Sequence, residues 1–254
     1  MATQALGPGQ QSEPGGKPRK RKVPHAFGAS MPIVLIGLFG TALGFFPTFF
    51  SRLGEVDTAH LVHGWTMTGW LVLVLAQILL ARSRKYALHR TLGWASILLF
   101  AAMLATSMQM VALMMSGQSR LPFDMAKFFG YSDLVNTPLL LFMYGGAIYW
   151  RKDRYLHSRL MSATVLTSIV PALARAFNIA IWRSLEGLYL AMHPTYLLIL
   201  AVLGIAILRD RAAGKLRWPL PLAFGWFCVL YATQWPIMQV DAYDRLCRAI
   251  GALV

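Results

Sequence analysis

The sequence predicts an all-α integral membrane protein, a seven-transmembrane helix bundle with its N-terminus cytoplasmic and its C-terminus outside. Composition is the first of three observations behind this. The chain is 57% hydrophobic and 13% charged, where a soluble domain is about half apolar and about a quarter charged. The second is the grouping of apolar residues into blocks that reach the roughly 20 residues a spanning helix needs. Short alternating strands, which a closed barrel would show, are absent from the pattern. The third is the placement of Lys and Arg, which fall mainly in alternate short loops, as orientation by the positive-inside rule requires.

The chain divides into a disordered basic tail, 1–28, a transmembrane domain, 29–240, and a short C-terminal segment, 241–254. The tail is rich in Gly, Pro, Gln, Ser and Lys, without apolar periodicity. It carries Lys17, Arg19, Lys20, Arg21 and Lys22 just ahead of the first apolar block. This run reads as a topology signal or as an attraction to anionic lipid. The first block is too long for a signal-peptide core and has no small-residue cleavage site, so it stays as a helix.

Expected spans are 29–50, 59–82, 90–116, 126–150, 158–182, 189–208 and 218–240. The tail and the loops near 82–90, 151–159 and 209–217 carry 17 Lys or Arg between them; the opposite side carries six, and the one left over, Arg175, lies inside a span. That imbalance sets the orientation. Trp65, Trp70, Trp94, Trp150, Trp182, Trp218 and Trp235 fall mostly near span ends, as an interfacial belt would. Pro171 and Pro236 should bend their spans. Residues 241–254 place Tyr243, Leu246, Cys247, Ile250 and Leu253 on one helical face, the pattern of an interfacial helix.

The net charge of +14 does not point to nucleic acid. The basic residues sit in loops beside apolar runs, not on a face interleaved with base-reading side chains. Cys228 and Cys247 have no metal-ligand spacing and make no disulfide framework. Cys228, inside an apolar run, reads as a buried inert thiol. No phosphate-binding loop, nucleophile elbow or HExxH motif occurs.

Counting depth at about 1.5 Å per residue gathers the in-span polar groups at the outer level. These are His60 and His63 in span two, Gln109 in span three, and Asp133 and Asn136 in span four. Arg175 and Asn178 join them from span five, His193 from span six and Gln234 from span seven. Such side chains are costly in lipid and face a bundle interior or cavity. An outward-opening pocket is therefore expected.

Arg175 reads either as a partner of Asp133 that fixes helix packing or as a clamp for an anionic group. His60, His63 and His193 have three readings. They are interfacial hydrogen-bonding groups, axial ligands of a b-type haem, or zinc ligands completed by Asp133. His89 and His157 follow basic clusters at the cytoplasmic starts of spans three and five. They face lipid phosphate or hold a second, inner haem. The two similar basic exits, 84–90 and 151–159, suggest duplicated hairpins.

One further pattern is a resemblance. His60, His63, Gly64, Trp70, Leu71 and Gln77 are followed by His89, Arg90, Leu92, Gly93 and Trp94, then by His157, Arg159, Leu160, Met161, Ala163 and Thr164, and finally by Ala172 and Arg175. This string, over about half the chain, resembles a large group of bacterial multi-pass membrane proteins of unknown function. The resemblance implies a bacterial cytoplasmic membrane location and no particular activity. The repeated histidines are also similar in style to cytochrome b561-type proteins, whose motifs do not match residue by residue.

The expected function is electron transfer through b-type haem, with the lipid bilayer and a quinone or periplasmic redox protein as partners. The alternatives are a zinc-dependent membrane hydrolase and a non-enzymatic binding or transport protein for an anionic lipid or small molecule.

Overall fold

The computed structural model describes residues 30–119 and 121–254; the basic tail predicted over 1–28 lies outside them. The described chain is α-helical, without strands among those residues. Helix α1 runs Ser30–Phe45, α2 Thr58–Arg82, α3 Tyr86–Met115, α4 Phe123–Tyr149, α5 Arg154–Ser168 and α6 Val170–Ala180. Helix α7 runs Gly187–Ala212, α8 Pro219–Thr233 and α9 Asp241–Gly251.

Three of these, α2, α3 and α7, are long and apolar enough to cross a membrane, and α5 with α6 makes a fourth if the bent pair is one span. The pair bends by 49°. The break falls at Ile169, two residues before Pro171, which has no N–H for the Thr167 carbonyl and whose ring would clash with it in a continuous helix. Pro236 acts differently from the expected bend. The α-helix stops at Thr233, and Pro236 opens a separate 3-10 turn to Gln239. Helices α1 and α8 are shorter apolar helices. Helix α4 carries Asp124, Lys127 and Asp133 in its first half.

Cross-contacts show that the helices alternate in direction. At one end, Ser162 donates to Ser30 Oγ (2.8 Å), the His89 and His157 rings meet, and Arg159 pairs with Asp210. The starts of α1, α3 and α5 therefore lie beside the end of α7. At the other end, His63 of α2 meets Thr106 of α3, and His193 of α7 meets Tyr231 of α8. Helices α2 and α3 pair as a hairpin, as do α4 and α5.

Helix α1 packs on the bent α5–α6 pair through small residues on one face: Gly37 against Val165 of α5 and Ile169, and Gly40 and Gly44 against Leu173 and Ala172 of α6. A side chain at Gly44 would run into the Ala172 carbonyl. Lipid tails are as apolar as the helices, so such close approach is what holds spans together.

Between the ends lies an aromatic core. Phe100 stacks on Tyr144 with ring centroids 3.9 Å apart, and Trp70 meets Tyr144 edge-on at 5.3 Å. Trp70 is fully buried, so it belongs to this core and not to an interfacial belt. Cys228 also departs from expectation: its thiol is on the exposed face of α8, whereas Cys247 is buried. Helix α9 docks on α3 through Tyr243, Cys247 and Gly251 and leaves Leu246 exposed; Leu253, also exposed, lies beyond its end. Its buried stripe is narrower than the apolar face read from the sequence.

Candidate functional site

Helix α2 begins where Asp57 caps it. The Asp57 carboxylate accepts from the His60 backbone N–H (3.1 Å) and from His60 Nδ1 (2.6 Å). The His60 backbone N–H is the chief cause holding the Asp57 carboxyl below its usual range. Both side chains are more than half exposed, so His60 is a surface cap partner.

One turn later, His63 turns inward. Its Nδ1 lies 3.3 Å from Thr106 Oγ1, and Thr66 Oγ1 lies 3.1 Å from the same oxygen. A Thr106 hydroxyl that donates to the Met103 carbonyl (3.1 Å) accepts from His63 Nδ1–H. That leaves His63 Nε2 as the ring's acceptor.

Arg175 approaches from α6. Its Nη1 donates to the Pro171 carbonyl (3.2 Å), and its guanidinium sits 4.7 Å above the Phe45 ring. It is close enough for electrostatic interaction with His63 and with Asp133 of α4. It makes no ion pair with Asp133 or any other carboxylate among the described residues. Several guanidinium N–H groups therefore have no protein partner.

Asn136 lies one turn from Asp133, and Asn178 one turn from Arg175, each on the same helix face as its charged neighbour. The Oδ1 atoms of both amides are buried without a partner. Each such orphan costs about 1–3 kcal/mol unless something fills the site. Asn178 is also held by the α6–α7 turn, where its Oδ1 packs so closely on Gly187 that a Cβ there would collide with it.

His63 with Thr66 and Thr106, and Arg175 within electrostatic range of His63 and Asp133, thus make one polar cluster drawn from α2, α3, α4 and α6. The other expected members do not join it. His193 Nδ1 hydrogen-bonds with Tyr231 Oη (2.8 Å), and the ring stacks on Trp235 with centroids 4.5 Å apart. Gln234 is fully buried and locked: its Oε1 accepts from Tyr196 Oη (2.8 Å) and its Nε2 donates to the Phe128 carbonyl (2.5 Å). Gln109 is exposed on α3, outside any pocket. Depth counting gives the level of a residue in the bundle but not its azimuth, which separates Gln109 from Thr106. Among the described residues, no three or more of His, Cys, Asp and Glu group as a metal site would need. In particular, His60, His63, His193 and Asp133 do not converge.

A second feature of this end escaped sequence reasoning. Asp124, Lys127, Phe128, Tyr189, Trp235 and Met238 line a cleft of about 500 Å³. Lys127 at its wall pairs with Asp244 of α9 (3.0 Å) and Asp124 (3.5 Å). The i,i+3 spacing of Asp124 and Lys127 was the available signal; the docking of α9 was not.

No family model, curated protein or solved structure matches this chain.

The opposite end holds two further groups. The His89 and His157 rings meet edge to face, with centroids 6.2 Å apart and planes at 78°. Beside them, Arg159 forks onto Asp210, Nε to Oδ2 and Nη2 to Oδ1, both 2.6 Å, while Tyr155 Oη donates to Oδ1 (2.7 Å). Asp210 lies in the charged run 209–211 at the end of α7, where nothing in sequence separates a buried carboxylate from solvated neighbours.

Proposed function

We propose that the protein is a seven-span protein of the bacterial cytoplasmic membrane that binds or carries an anionic lipid or small molecule. The chamber of Arg175, Asp133 and His63 is its binding site and opens outward. Four or fewer helices meet the length and hydropathy of a span outright. The remaining spans are α1, α4 and α8, of which α1 reaches about 24 Å at 1.5 Å per residue. The short α8 is extended by the 3-10 turn that follows it. The alternation of helix direction and the excess of basic residues at one end support a cytoplasmic N-terminus.

The observation that carries the reading is the state of Arg175. A guanidinium within a span costs about 2.5–3.5 kcal/mol at the bilayer centre, less toward the interface. Such a cation is normally neutralised by a close carboxylate, and here no carboxylate among the described residues lies within ion-pair distance of it. An anionic group of carboxylate or phosphate type, seated between Arg175 and the acceptor-side chamber wall, would take the unused N–H donors in charge-assisted bonds. Asp133 keeps the pocket from holding a full uncompensated charge when empty, and so permits release.

Native mass spectrometry of protein released from bacterial membranes tests this. Wild type should carry a bound anionic lipid or a smaller anion, and the mass of the adduct tells which. Arg175→Gln should lose it, while Arg183→Gln in the exposed turn after α6 should keep it. An identical adduct profile in wild type and Arg175→Gln refutes the reading.

A further inference from the structure

At the cytoplasmic end, and independently of the outer chamber, the geometry points to His89 and His157 as the two axial ligands of an iron porphyrin. Each histidine opens the second helix of a hairpin, and each is fixed in the same way. His89 Nδ1 lies 3.2 Å from the Gln77 carbonyl at the end of α2, and His157 Nδ1 lies 2.8 Å from the Ala147 carbonyl at the end of α4. A carbonyl only accepts, so both rings carry their proton on Nδ1 and present a lone pair at Nε2. Ligating histidines are oriented in this manner, by a hydrogen bond from the other ring nitrogen to a carbonyl or carboxylate.

Gln77 clamps its side twice over. Its main-chain oxygen receives His89 Nδ1–H, and its side-chain Nε2 donates back to the His89 carbonyl (3.0 Å). The fixing contact therefore recurs in the α2–α3 and α4–α5 hairpins, which gives the apparent sequence repeat a physical content.

The ring separation suits one shared ion. With metal–nitrogen bonds of about 2.0–2.1 Å, two imidazoles on opposite sides of a metal have centroids about 6 Å apart; the observed value is 6.2 Å. The number of donors selects the metal's form. Among the described residues no third His, Cys, Asp or Glu joins the pair. Zinc takes three or four protein ligands, whereas a porphyrin supplies the equatorial nitrogens itself and asks the protein only for axial ones. The exposed Arg84, Lys85, Arg90, Arg151, Lys152 and Arg154 stand at the same end. They offer cations to the two propionates that such a macrocycle carries.

The test is the absorbance of detergent-purified protein from haem-replete cells, with haem counted as the pyridine complex and metals by mass spectrometry. We expect a Soret band, a low-spin reduced spectrum and about one haem per chain. His89→Ala and His157→Ala should each abolish binding or leave a five-coordinate spectrum. His157→Met should keep haem with a shifted spectrum, which a merely structural histidine would not do, and His193→Ala should leave the spectrum unchanged. A colourless wild-type protein, a metal bound without porphyrin, or an unaltered spectrum in both alanine variants overturns the assignment. None of these outcomes bears on the Arg175 chamber.

Discussion

Arg159→Met offers the sharpest stability prediction. Arg159 and Asp210 are 3% and 5% exposed, and their two contacts are both 2.6 Å. Methionine keeps the length and apolar stem of arginine but removes the fork. Asp210 is then a buried carboxylate held by the Tyr155 hydroxyl alone (2.7 Å). Breaking a buried pair by removing one member costs about 3–5 kcal/mol. For a chain of this size each kcal/mol lowers Tm by roughly 2–4 °C, so Tm should drop by about 6–20 °C. The loss should sit in the lower half of that range, because the pair lies at the bundle end. Adding Asp210→Asn removes the stranded charge and keeps an acceptor for Tyr155. The double variant should recover more than half of the loss, a coupling that a double-mutant cycle isolates. Thermal unfolding in detergent, followed by tryptophan fluorescence, reads it. A drop under about 2 °C in the single variant, or additive losses in the double, would refute the reasoning.

Three more predictions follow from the same contacts. Gly44→Val drives a side chain into the Ala172 carbonyl and should cost about 1–3 kcal/mol by forcing α1 from α6; a Tm equal to wild type contradicts the packing described. Asp57→Ala removes the cap of α2 and should cost about 0.5–2 kcal/mol, with His60→Ala costing less because the backbone bond survives. The reverse order of the two losses would contradict the capping account. Bonds from Arg248 and then Lys127 hold the Asp244 carboxyl below its usual 3.8. The folded state therefore binds this proton less tightly than the unfolded one. The stabilisation is complete above the ordinary value and is lost as pH falls through the lowered one. Hydrogen exchange over 241–251, corrected for intrinsic rates, should show α9 loosening only as pH falls below 3.8. Protection unchanged across that fall would remove Asp244 as the latch.

Legibility followed from what periodicity and hydropathy can encode. Apolar blocks marked α2, α3 and α7 and their alternation, because lipid demands length and apolarity over a continuous run. Pro171 marked its break for a steric reason that is local. The basic repeats marked two hairpins, and the structure gives them matching histidine contacts. The site was legible in part. His63 and Asp133 both lie within electrostatic range of Arg175, and each is polar where lipid penalises polarity. His60, Gln109, His193 and Gln234 share their level but not their direction. Azimuth depends on how helices rotate against each other, which single residues inside apolar runs do not specify. Gln234 shows this most plainly, because its partners, Tyr196 and the Phe128 carbonyl, come from α7 and α4. The Arg159–Asp210 pair and the docking of α9 join residues far apart in the chain, through contacts that no spacing encodes.

The central claim, a chamber on His63 and Arg175 that opens to the outside, is tested most directly by the side from which Thr106 can be reached. Thr106→Cys, measured over the background of Cys228 and Cys247, should react with a membrane-impermeant thiol reagent added to right-side-out vesicles, and more slowly when an anionic lipid is present. Labelling only in inverted vesicles, or none from either side in folded protein, would contradict the account.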